Sequence, residues 1–170
     1  MTFARRLVRR LALQDFDALY GSTEWRTYLA LHATFTSLAD GELRDQVQAA
    51  LARSEQDRRA CLAEDWQQLA GLFGYRLRSE FGATLDMVVT LVDAALRGLV
   101  IMALPTPGIA THRTTAAPFG AAAPDEWSLP ALGIASIAPA LLEPDPAIEW
   151  DDERLTQVRQ ALTTVTGPVA

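Results

Sequence analysis

The sequence predicts an all-α fold, an antiparallel bundle of about six helices. Three observations carry that expectation. Apolar residues recur at spacings of three and four in one segment after another. Most of these segments open at a capping residue and close at glycine or proline. No stretch alternates apolar and polar residues long enough to read as a strand, and no internal repeat is present. A length of 170 residues suffices for one domain with a real core, so residues 1–170 are read as a single unit with a long loop at 105–127.

Phe3 to Leu13 is helical in pattern, with Phe3, Leu7, Val8 and Leu11 together and Arg5, Arg6, Arg9 and Arg10 on the remainder. Those arginines read either as a solvated face or as a helix leading from a basic module. Gly21 and Ser22 end that region, and Ser22 or Thr23 caps the next helix, Thr23 to Leu38. Its stripe is aromatic and polar: Trp25, Tyr28, Leu29, His32, Phe35 and Thr36. The polar tips of Tyr28, His32 and Thr36 need partners if buried, supplied either by a ligand or by ordinary hydrogen bonds.

Asp40 is the expected cap of a long helix, Gly41 to about Phe73. Its stripe runs Leu43, Val47, Leu51, Ser54, Arg58, Leu62, Trp66, Leu69, Phe73. Ser54 and Arg58 interrupt it. Either the middle crosses open space, or it faces a partly polar pocket in which Arg58 pairs with an acidic ligand group. Cys61 flanks the stripe and reads as a buried small hydrophobe. Gly74 suits the helix C-terminus, and Tyr75 to Ala83 is a short connection.

Thr84 caps the segment around which the rest is organised, TLDMVVTLVDAALRGLVIMAL, residues 84–104. Val88, Leu91, Val92, Ala95, Leu99 and Met102 form one apolar stripe, and Val89, Leu96, Val100, Ile101 and Leu104 a second. Asp86, Asp93 and Arg97 leave only a narrow polar strip. A helix apolar on two faces must be covered on both. The charges exclude a membrane span. Pro105 and Pro107 stop the helix, and the loop that follows carries His112 and Arg113. Ser128 caps a further helix whose Leu132, Ile134, Ile137, Ala138 and Leu141 are again too apolar for a free surface. Pro139 should kink or interrupt it. After a break at Glu143 to Pro146, Asp151 or Asp152 opens a last helix to about Val165, with Leu155, Val158, Leu162 and Val165 inward, and Gly167-Pro168 ends the fold.

Composition narrows the function. The chain is 49% hydrophobic and 21% charged, as folded domains are, and a net charge of −6 argues against nucleic-acid binding by the chain itself. All 15 basic residues are arginine. One cysteine excludes an internal disulfide and a cysteine-based zinc cluster, which fits a reducing, cytoplasmic location. The N-terminal arginines are not followed by the apolar run of a signal peptide. No metal-ligand spacing, phosphate-binding glycine loop or nucleophile elbow is present, so neither an enzyme nor a cofactor is expected.

The order of these segments resembles the C-terminal half of TetR-family transcriptional regulators. ADGELRDQ and the T-x-D…VDAALRGL stretch are the most similar pieces; the likeness covers Phe3 to Leu104 and, more loosely, Leu129 to Leu142. The resemblance implies a ligand-binding and dimerisation domain in which residues 84–104 and 128–142 join their mates in a four-helix bundle. That interface would use Val89, Leu96, Val100, Leu132, Ile134, Ile137 and Leu141. A small, largely apolar effector would sit among Trp25, Tyr28, His32, Phe35, Ser54, Arg58, Leu62, Trp66 and Met87. The family's helix-turn-helix has no counterpart in this sequence, so DNA would be read only through a module not present in this chain. The competing expectation is a helical dimerisation or protein–protein interaction module with no ligand.

Overall fold

The computed structural model describes the backbone of residues 2–119 and 121–165, and the side chains of residues 8–161 except 81 and 120. The side chains of Phe3, Arg5, Arg6, Leu7, Leu162 and Val165, and Gly167-Pro168, lie outside the described residues. Among the described residues the chain is mostly helical. The order is α1 (Thr2–Gly21), α2 (Thr23–Phe35), α3 (Glu42–Leu72), β1 (Tyr75–Leu77), α4 (Leu85–Ala103), α5 (Gly108–Thr111), β2 (Arg113–Ala116), β3 (Asp125–Ser128), α6 (Leu129–Leu141), β4 (Leu142–Pro144) and α7 (Asp152–Val165). No described helix is long and apolar enough to cross a membrane.

Helix α1 continues well beyond Leu13. The spacing Val8, Ala12, Phe16, Leu19 extends its apolar stripe, and Ala12 and Phe16 become fully buried. There they meet Val88, Val92, Leu96 and Val100 of α4 and Ala131, Ile134 and Ala135 of α6. The core is therefore a three-helix contact of α1, α4 and α6, closed at one side by Trp127. Helix α3 stands differently. At 31 residues it runs about 46 Å, yet none of its residues is fully buried.

Local caps act largely as read. Ser22 Oγ accepts from Trp25 N at 3.0 Å, Thr84 Oγ1 from Met87 N at 3.2 Å, Ser128 Oγ from Ala131 N at 3.4 Å and Asp151 Oδ1 from Arg154 N at 2.7 Å. Asp40 does not cap α3. The N-cap is Gly41, at φ 145°, and Asp40 instead lies 3.5 Å from Arg44 in solvent. Gly74 follows α3 at φ 63°, and a Cβ there would come within 3.1 Å of Ile148 Cγ2.

Helix C-termini are finished in trans. Neither α3 nor α6 has a basic residue in its last turn. Arg154 of α7 donates to Gly71 O and, at 3.0 Å, to Leu72 O. Arg78 Nε donates to Pro139 O at 3.1 Å. Arg44 donates likewise to Leu38 O, past the end of α2, and to Phe35 O at 3.4 Å. Each guanidinium adds a donor to carbonyls at or just past a helix end, where the negative end of the dipole lies.

Further expectations fail here, in whole or in part. Residues 105–127 are not an irregular loop: they contain α5 and the antiparallel pair β2–β3, registered Arg113↔Ser128 to Ala116↔Asp125. A second pair joins β1 to β4, Tyr75↔Pro144 to Leu77↔Leu142, and Arg76 Nε reaches Glu143 Oε1 across it at 2.9 Å. These strands are three or four residues long, too short to display a period of two. Pro139 does not interrupt α6, which runs on to Leu141. It removes one N–H bond, to the carbonyl four residues back, and sits in the last turn, where little helix remains beyond it to be disturbed. Cys61 is exposed, because it falls beside the packed line through Arg58 and Leu62 and not on it.

Phe16→Ala removes the centre of the core and should lower unfolding free energy by about 3–5 kcal/mol. Leu43→Ala, at a side chain 65% exposed, should change it by no more than about 0.5 kcal/mol. Thermal melts of the two variants check this contrast.

Candidate functional site

Two places on the chain gather the residues the sequence singles out. The first lies where α2, α3 and α4 meet. Asp93 and Arg97 share one face of α4 at a spacing of four, and Glu55 and Arg58 share one face of α3 at a spacing of three. Each helix offers one carboxylate and one guanidinium, so the two faces neutralise each other. Arg58 Nη1 lies 2.9 Å from Asp93 Oδ1, its Nη2 bonds Asp93 Oδ2, and the same Nη2 is 3.2 Å from Glu55 Oε2. Arg97 Nη2 lies 2.8 Å from Glu55 Oε1, and its Nε 2.8 Å from Asp93 Oδ2. Asp93 and Arg97 are only 14% and 15% exposed at their side chains.

The aromatic stripe of α2 roofs this cluster. Trp25 and Tyr28 stack at 5.1 Å, and the Arg97 guanidinium sits 5.1 Å from the Trp25 ring and 5.5 Å from that of Tyr28. The Tyr28 hydroxyl donates to Glu55 Oε1, and His32 Nε2 approaches the same oxygen at 3.2 Å while its Nδ1 faces Tyr28 O at 3.1 Å. Burial works against ionisation of Glu55, but bonds from Tyr28, Arg97 and Arg58 outweigh it and hold its pKa at about 2. Burial, then the bond to Glu55, raises the pKa of the Tyr28 phenol. Burial alone would pull Arg58 down; its bonds and charge contacts with Asp93 and Glu55 raise it instead.

So the polar tips of Tyr28 and His32 are partnered within the chain. Arg58, read as a possible mate for a ligand's acidic group, is matched by Asp93 and Glu55. The Trp25 indole N–H and Arg58 Nε are left here without a hydrogen-bond partner, and His32 Nε2 and Arg97 Nε meet their carboxylates as close contacts and not as hydrogen bonds. The remaining predicted ligand residues disperse. Phe35 lies under Arg44, 4.7 Å from its guanidinium carbon. Ser54 is exposed beside the Tyr28 phenol, and Leu62 is half-buried. Met87 is 41% exposed.

Trp66 alone among the nine reaches the second place, a half-open apolar cavity of about 130 Å³ between α1, α3 and α6. Leu11, Ala12 and Asp15 of α1, Leu69, Ala70 and Phe73 around the end of α3, and Ile134 and Ala138 of α6 line it with Tyr75 and Phe119. Asp15 sits at the rim. Its carboxyl is accessible, but the apolar wall beside it desolvates it and raises its pKa. Among the described residues, no group of three or more His, Cys, Asp or Glu side chains is placed to hold a metal ion.

The residues expected at a dimer interface divide as well. Val89, Leu96, Val100, Ile134 and Leu141 are buried within the chain itself. Leu132 and Ile137 are half-buried. What α4 and α6 leave open is an adjacent face: Leu91, Ala94, Gly98, Ile101 and Met102 beside Leu129, Leu132, Gly133 and Ser136. Helical spacing reveals that α4 has two apolar faces but not which one its own chain will cover.

Sequence reasoning also missed Glu55, assigning its place on the stripe to Ser54. A signal was available. The i, i+3 pair Glu55–Arg58 and the i, i+4 pair Asp93–Arg97 both run acid before base, so on two helices packed in opposite directions each charge falls opposite its complement.

Because Glu55 is held at about 2 against an ordinary 4.5, its stabilising effect is complete above pH 4.5 and drains away as pH falls towards 2. Glu55→Gln should therefore cost about 2 kcal/mol at neutral pH and flatten the loss of stability below pH 4.5. Helical circular dichroism during acid titration of both proteins measures the two slopes.

Comparison with known protein families, curated proteins and solved structures finds no match for this chain.

Proposed function

We propose that the chain is the effector-binding and dimerisation domain of a TetR-like transcriptional regulator. Two copies join through α4 and α6, and a small, largely apolar ligand biases the arrangement of the helices. The observation that carries this reading is the apolar face left open on α4 and α6. Leu91 and Met102 are 47% and 55% exposed, α6 has no charged residue, and every charge near the middle of α4 faces α3. A trough of about 480 Å³ lies between the two helices. Contiguous apolar surface of this kind marks a contact site.

Two glycines sharpen the argument. Gly98 and Gly133 lie within helices and border the trough, and a Cβ added at either would touch nothing in the same chain. Glycine inside a helix costs about 1 kcal/mol relative to alanine. No contact within the protomer requires that cost, whereas a second copy packing closely into the trough does. A two-fold axis through it sets α4 and α6 against their mates as a four-helix bundle. DNA reading would belong to a helix-turn-helix outside this chain, whose charge of −6 supplies no phosphate-binding surface.

A second reading, a dimerisation or interaction module without a ligand, is favoured by the size of the cavity. The cavity of about 130 Å³ is below the roughly 300–1,000 Å³ of common ligand sites.

Sedimentation velocity at micromolar concentration should show a dimer. Met102→Glu combined with Leu132→Glu should give a monomer of unchanged helical content. A wild-type chain that stays monomeric at about 100 μM, which requires a Kd weaker than about that concentration, overturns the proposal.

A further inference from the structure

We infer that the cavity between α1, α3 and α6 takes a compact apolar amine, its body among the aromatic side chains and its ammonium group at Asp15. This names a ligand class for the sensing reading above and rests on it. The lining is chemically lopsided. Trp66, Phe73, Tyr75 and Phe119 bring four aromatic rings to one small space, and Asp15 is its single charged group. Cations are attracted to aromatic faces as well as to carboxylates, so both features favour the same ligand charge.

Asp15 differs from the carboxylates that this fold ties to arginines. Glu55, Asp93, Asp86, Asp125 and Glu143 each have an arginine within reach. Asp15 has no hydrogen bond or ion pair among the described residues, and desolvation is the one influence on it. A carboxylate beside an apolar wall has lost part of its hydration, and a ligand ammonium replaces that with a charge-assisted hydrogen bond that a hydroxyl matches only in part. An anionic ligand would add like-charge repulsion.

Size sets the other limit. An apolar protein cavity of about 150 Å³ accepts benzene, so about 130 Å³ suits one ring or a short branched chain. Because the space is half-open beside Asp15, a charged group at that end keeps some of its hydration.

The test uses three probes of one shape on the full chain at pH 7: benzylamine, benzyl alcohol and phenylacetate, titrated by isothermal calorimetry with ligand-observed NMR for weak binding. Benzylamine should bind at least about tenfold tighter than benzyl alcohol, the range of one charge-assisted hydrogen bond, and phenylacetate should bind weakest. Asp15→Asn, a change at an accessible rim position, should bring benzylamine to within about twofold of benzyl alcohol and leave the alcohol unaffected. Ala138→Leu, filling the cavity, should weaken both.

Equal binding of amine and alcohol, or an amine preference untouched by Asp15→Asn, overturns the amine assignment and leaves a neutral-ligand sensor standing. No binding of any probe overturns the cavity as a ligand site together with the sensing half of the proposed function. A monomeric chain that still prefers benzylamine overturns the dimer and leaves this inference intact.

Discussion

The ion pairs joining Arg58 and Arg97 to Glu55 and Asp93 decide which way α4 faces, and the rest of the packing follows. With its charged strip turned to α3, α4 must present one apolar face to α1 and α6, where Val88, Val92 and Val100 are buried. Its other apolar face is then directed outward, carrying Leu91, Gly98 and Met102. A half-buried cluster with equal numbers of acids and bases adds little net stability over a well-packed apolar contact, but it penalises any rotation of α4 that leaves a charge unpaired. The knot acts chiefly on orientation. It also explains why Tyr28 and His32 sit on an otherwise apolar stripe: both cover Glu55, and Tyr28 hydrogen-bonds it.

Most helices and several caps were legible because their causes are local. Ser22, Thr84 and Ser128 each act within three residues of themselves. The second half of α1 was missed because Gln14, Asp15 and Asp17 dilute its pattern, although Phe16 proves fully buried. The short strands were invisible since their pairing is a long-range fact: Tyr75 meets Pro144 and Arg113 meets Ser128. The same limit governs the candidate sites. The periodicity of α2 placed Trp25, Tyr28 and His32 together correctly. It could not show that Glu55 and Asp93 already satisfy that surface, nor that the open space would form instead beside Trp66, Asp15 and Phe73.

The two places therefore differ in kind. Where α2, α3 and α4 cross, both carboxylates and both guanidiniums are engaged with one another. Between α1, α3 and α6, walls of Leu69, Phe73 and Ile134 surround unfilled volume, with one carboxylate unmatched at the edge. A binding function is sought more naturally where the chain's own groups leave something undone.

Arginine contacts recur throughout this architecture, at helix ends through Arg44, Arg78 and Arg154 and at the helix crossing through Arg58 and Arg97. Guanidinium chloride presents the same planar donor to the same carbonyls and carboxylates, and supplies salt that weakens charge contacts besides. It therefore acts on this chain as a specific competitor as well as a denaturant. Urea, uncharged, leaves those contacts to be lost with the rest of the fold, so the two solvents report on different parts of what holds the molecule together.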